Sequence, residues 1–216
     1  MSGDAGTAIG GVEGRLQRLR DAAETKPVAT AEAAWAWIAE LAKRSKSDAA
    51  SADAECTALF GLGVPPATLD GPTDGLLVMT TTNPALDAAV RAVAGLWMPW
   101  QGKRFHNGDA SGENRMARNS TVVSKLLWPL YSMRDAAEGK LAFDFKTYVE
   151  AGKDDPDRQV MVIDYADIES NPRLLIRSIR DELVEIVDSV FLGKILYHSG
   201  SDKYNKIGYF ALRTQG

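Results

Sequence analysis

The chain has a single cysteine, Cys56, and only two histidines, His106 and His198. One thiol cannot form an internal disulfide or a paired-cysteine redox or zinc site, so a reduced, cytoplasmic setting is the expectation. Neither histidine belongs to a close His/Asp/Glu spacing of the metalloprotease kind, and no metal or other cofactor is implied. No apolar run approaches the roughly 20 residues that span a bilayer. The first eleven residues, small and glycine-rich, lack the basic and apolar regions of a signal peptide and are expected to be disordered. Positive charge is also not in excess: 25 basic residues stand against 29 acidic ones, for a net charge of -4. That balance, without an RNA-binding signature, argues against nucleic acid, although Tyr204, Tyr209 and Phe210 interleave with Lys203 and Lys206.

Several motifs are missing as well. Gly71-Pro72-Thr73-Asp74-Gly75 has neither the lysine–serine/threonine ending of a phosphate-binding loop nor the spacing of a dinucleotide fingerprint. No Gly-x-Ser-x-Gly elbow is present. What remains is a 216-residue chain with 45% apolar and 25% charged residues, enough for one generous core.

The order of patterns is helices first, strands later. Val12, Leu16 and Leu19 recur at helical spacing over residues 12–23, and Pro27 breaks that run. Thr30 is placed to cap a second helix over residues 31–43, with Trp35, Ile38 and Leu41 on its apolar side. A third short helix covers residues 53–60. Residues 76–82 read as a strand, and Asn83-Pro84 opens a helix carrying Leu86, Val90, Val93 and Trp97. Residues 107–119 read as a loop or a hairpin with little core. Residues 122–133 suit a helix that Pro129 interrupts.

Beyond Gly139 the period changes. Leu141, Phe143, Phe145, Thr147 and Val149 alternate with polar neighbours, and residues 160–165 form a second strand. Residues 176–179 or 182–187, then 190–198 and 208–214, complete the series. No linker leaves room for crossover helices, so pairing is expected to be antiparallel, giving a strongly curled sheet or a small barrel with packed helices. The expected fold is α+β: residues 1–50 as a helical arm and 51–216 as a β-rich, barrel-like ligand-binding body.

The candidate chemistry is sparse. Trp97 and Trp100 flank Pro99 and precede Gly102-Lys103-Arg104-Phe105, a stretch that suits the mouth of a pocket or a buried corner. Lys103 and Arg104 offer cations for an anionic group, one facing in and the other out. Asp164 ends an apolar strand: pointing inward it suits acid–base work, pointing outward it caps the next turn. Arg180 belongs to an ionic group with Arg177, Asp181 and Glu182, in which Arg180 and Glu182 share a strand face opposite Asp181. His106 is the second proton-transfer candidate. Phe143, Phe145 and Tyr165 complete a ligand wall with Trp97, Trp100, Lys103 and Arg104.

These pieces resemble the family named for its Gly-x-Trp-x-Gly motif, together with the companion domain that follows it. The corresponding segments are Leu69 to Gly75, Trp100-Gln101-Gly102-Lys103-Arg104-Phe105, Val162-Ile163-Asp164-Tyr165, Ile179-Arg180-Asp181-Glu182, Phe191-Leu192-Gly193-Lys194 and Tyr209-Phe210-Ala211-Leu212. Gly71 and Gly75 fit the motif, and Thr73 stands at its tryptophan position. The resemblance implies a compact β-rich fold over residues 53–213 and no particular reaction. Three functions fit: binding of a small apolar or aromatic molecule, a cofactor-independent isomerase, cyclase or hydratase acting on such a molecule, or a solid-cored protein-interaction domain. A homodimer is compatible with each.

Overall fold

A computed structural model describes residues 3–80, 100–137, 139–200 and 203–215. The expected helix over residues 83–97 lies outside them. Three helices come first: α1 (Gly3–Ala23), α2 (Pro27–Arg44) and α3 (Ala49–Gly61). α1 runs back to Gly3, well ahead of Val12 and through the segment expected to be disordered. Extending a formed helix adds a hydrogen bond for each residue fixed. α2 starts at Pro27, ahead of the Thr30 start suggested by capping. Proline is pre-set for the first helical position, and its missing N–H has no partner there. Asp48 caps α3 by accepting from the Ser51 N–H at 3.1 Å.

The strands are β1 (Gly71–Thr80), β2 (Trp100–His106), β3 (Ser111–Met116), β4 (Arg134–Ala136), β5 (Gly139–Ala151), β6 (Gln159–Asp164), β7 (Ile179–Val187), β8 (Val190–His198) and β9 (Tyr204–Thr214). A short helix, α4 (Ser120–Leu127), links β3 to β4. Every pairing is antiparallel, in the order β3-β2-β1-β9-β8-β7-β6-β5, and β3 also pairs with β5. The sheet is therefore a closed barrel of eight strands, with β4 attached outside the ring to β5. Closure removes the edges that an open sheet would expose. Of the two forms expected over residues 107–119, a hairpin, β2–β3, is the one present, but it contributes to the core through Asn114 and Met116.

Two apolar clusters follow from the closure. Inside lie Phe105, Phe145, Ile163, Leu183, Phe191, Ile195 and Phe210, among others. Outside, the alternate residues Val160, Val162, Val184, Ile186, Leu192 and Ala211 pack under α1–α3, against Leu16, Trp37, Ile38 and Phe60. Each large side chain so buried contributes about 1.5–3 kcal/mol. Arg20 fastens this layer, donating to Ile186 O at 3.2 Å and Leu62 O at 2.9 Å.

Candidate functional site

The site starts with a bulge in β2. The register with β3 slips between Trp100 and Gly102, so Trp100 and Lys103 both turn inward although three positions apart. Gly102 makes this turn at φ +140°, where a Cβ would strike the Thr73 carbonyl. The Thr73 hydroxyl takes over the interrupted ladder: it accepts from Lys103 N at 3.1 Å and donates to Lys103 O at 2.9 Å. Gly75 clears space for the Trp100 indole, since a Cβ there would lie 2.6 Å from the ring.

Lys103 thus projects its ammonium into the barrel. Nζ donates to Asp181 Oδ2 at 2.9 Å, to Asn114 Oδ1 at 3.1 Å and to the Tyr165 hydroxyl. The rings of Trp100, Phe145, Tyr165 and Phe210 surround it, with centroids 5.2–5.8 Å away. Tyr165 OH donates to Asp181 Oδ2 at 3.0 Å. The Asn114 amide is fully engaged: Oδ1 also accepts from Trp100 Nε1 at 3.0 Å, and Nδ2 donates to Phe143 O at 3.1 Å and to Tyr165 OH at 3.3 Å. Asp181 Oδ1, by contrast, is buried without a hydrogen-bond partner among the described residues.

Burial pulls the Lys103 ammonium below its ordinary pKa, and the Asp181 charge opposes that fall. Burial also pushes the Tyr165 phenol well up, with Asp181 adding to the effect, so Tyr165 remains a neutral donor. Beside the cluster lies a cavity of about 30 Å³. Asn114 and Tyr165 form its polar wall; Trp100, Met116, Phe143, Ile176 and Ile179 form its apolar one. That volume is on the order of two water molecules.

Trp100, Lys103, Phe143, Phe145 and Tyr165 are therefore brought together inside the barrel. The other candidates lie elsewhere. Asp164 shares the outer face with Val160 and Val162, accepting from Ala166 N at 2.8 Å and Tyr148 OH at 3.2 Å as a turn cap. Arg180 is opposite Asp164 in the ladder but also faces out, bound to Glu182 at 3.0 Å and Glu150 at 2.5 Å. His106 pairs with Glu113 at 2.9 Å and is partly exposed. Arg104 alternates with Lys103 and faces outward. Trp97 lies outside the described residues.

Two residues of the cluster, Asp181 and Asn114, are not among the candidate site residues read from the sequence, although Asp181 is placed there on the face opposite Arg180 and Glu182. Asp181 carries a signal, an aspartate alternating with Ile179 and Leu183 on an apolar face. Asn114 carries none, because its strand is short and polar. No group of His, Cys, Asp and Glu among the described residues is arranged to hold a metal ion. No helix among them is long and apolar enough to cross a membrane.

No family model matches the chain, and no curated protein matches it. A solved structure, a protein from Thermomonospora curvata, matches 82% of this chain and 99% of its own at 14% identity, with a TM-score of 0.43.

Proposed function

We propose that the barrel interior binds a small, largely apolar molecule whose polar group sits against Asn114 and Tyr165, replacing the long 3.3 Å hydrogen bond between them. The observation that carries this reading is the buried cluster of Lys103, Asp181, Tyr165 and Asn114 at the edge of an otherwise apolar cavity. A buried ion pair rarely adds net stability over apolar packing, so its presence in a core supports a role beyond folding. Apolar walls with a few convergent polar groups are the usual make-up of a small-molecule site. The likeness to the Gly-x-Trp-x-Gly family belongs to this reading, since Thr73, Gly75 and Lys103 of its segments all serve the cluster.

A second reading, cofactor-independent proton transfer on such a ligand, is favoured by the free Asp181 oxygen beside an ammonium that burial has made easier to deprotonate. Its proton carriers are Lys103 and Tyr165 rather than Asp164 or His106, which face away from the cavity.

Native mass spectrometry of the purified protein, then denaturing extraction, tests the binding reading. The expected result is a retained small molecule whose occupancy falls in Asn114→Leu and Tyr165→Phe. If nothing is retained and medium-chain acids and alcohols fail to bind, the cluster is a structural tie in a solid core.

A further inference from the structure

The wall between the cavity and the outer surface is built from strained backbone. Among the described residues, four non-glycine positions have positive φ, and two of them, Phe143 (φ +53°) and Leu175 (φ +71°), lie in this wall. Such conformations cost on the order of 1–3 kcal/mol each and concentrate at ligand clamps and switches.

Phe143 sits at a bulge of β5, where the register against β3 steps from Gly112↔Phe145 to Asn114↔Ala142. Its N–H donates to Tyr131 OH at 2.7 Å, and its carbonyl accepts from Asn114. Its ring borders the cavity, stacks on Tyr131 at 5.1 Å and meets Trp128 edge-on at 5.3 Å.

Trp128 and Tyr131 in turn line an open groove of about 570 Å³ on the outside of the barrel. Leu130 (100% exposed) and Leu174 (65% exposed) also line it. Lys125 holds the near side of the groove in place, donating to Pro129 O at 3.2 Å and Tyr131 O at 2.9 Å. The chain that supplies Leu174 to the groove supplies Ile176 to the cavity two residues later. Groove and cavity thus share one wall, made of Phe143 and residues 174–176.

We infer that the groove is the outer half of one ligand site, that the Phe143 ring is the door between the halves, and that the ligand is a linear amphiphile. This rests on the interior being a binding site. The cavity has room for a head group and not for a body, whereas the groove falls within the range of roughly 300–1,000 Å³ that ligand sites occupy. The head then lies against Asn114 and Tyr165, and an unbranched chain runs past Phe143 over Trp128 and Tyr131. A passage one phenyl ring wide admits a straight chain and stops a fused-ring body.

Titration with straight-chain carboxylic acids and 1-alkanols of six to twelve carbons tests this, followed by tryptophan fluorescence and calorimetry. For the wild type, a groove that half-buries each methylene predicts affinity rising roughly twofold per carbon. Leu130→Glu/Leu174→Glu changes exposed positions only; it should flatten that rise, weakening twelve-carbon binding far more than six-carbon binding. Phe143→Gly, which suits the positive φ, should speed association at least several-fold. A rise that persists in the double variant, or wild-type binding independent of chain length, overturns the groove and leaves the interior reading standing. Absence of binding at every length overturns both.

Discussion

Lys103 and Asp181 meet at 2.9 Å across the full width of the barrel, from strands β2 and β7 that stand four apart in either direction around the ring. Both side chains are completely buried. The pair therefore ties opposite walls through the core, and Tyr165 and Asn114 brace it from β3 and the end of β6.

Removing one member should cost far more than removing both. Lys103→Met leaves the Asp181 charge buried beside an apolar chain, with an expected loss of about 3–5 kcal/mol. Lys103→Met/Asp181→Leu replaces the pair by apolar groups and should recover most or all of that loss. Urea unfolding of the two variants checks this. A double variant no more stable than the single one would show that the two charges act independently.

The β2 bulge should be equally sensitive, and for a geometric reason. Thr73→Val keeps the shape at Thr73 but strips the Lys103 N–H and C=O of their partner, a loss of about 1–3 kcal/mol. Gly102→Ala brings a Cβ against the Thr73 carbonyl at an unfavourable φ, so its cost should reach or exceed the ~1–3 kcal/mol of core overpacking. Thermal denaturation gives both values. Indole fluorescence should also shift, because Trp100 takes its position from the same bulge. A Gly102→Ala variant of wild-type stability would remove the bulge from the account.

Alkaline pH should loosen the helical layer through Cys56. Burial, with Asp53 and Glu55 nearby, pushes this thiol from 9.0 up to about 12. The unfolded thiol thus ionises before the folded one, and the folded state binds more protons across that interval. The contribution is fully present below pH 9 and declines as pH rises to about 12, by at most about 1.4 kcal/mol per pH unit. The stability gap between wild type and Cys56→Ala should therefore shrink over this range in urea titrations. A gap that is flat or widens with pH contradicts the assignment. Below pH 9, Ellman's reagent should label the thiol no faster than the protein opens.

Local pattern carried much of this structure. Alternation over residues 141–149 and 160–165, turns at 152–156 and the lack of crossover helices sufficed for antiparallel strands in a curled sheet or small barrel; the β3–β5 pairing closes it. Phe143, Phe145 and Tyr165, expected to form a wall of it, all belong to the interior cluster. Turn chemistry also placed the C-terminal ends of the first three helices to within one residue, though not their starts.

Tertiary structure decided which face of each strand was the inner one. Val160, Met161, Val162 and Ile163 are apolar on both sides, because one side meets the barrel core and the other meets the helices. In such a run alternation pairs Asp164 with Val162 and Tyr165 with Ile163, but it does not say which pair looks inward. The helical layer settles that, sending Asp164 out to cap a turn and leaving Asp181 as the carboxylate inside. Bulges at Gly102 and Phe143 then break the two-residue period where the site is built. A propensity or period read along one strand has no access to such a break, since each bulge is stabilised by contacts from elsewhere: Thr73 on β1 at one, Asn114 and Tyr131 at the other. Read alone, the chain pointed to a curled antiparallel sheet or small barrel with aromatic rings toward its core and one of Lys103 and Arg104 turned inward. The Gly102 bulge and closure under the helices decided that it is Lys103 and that Asp181 is its partner.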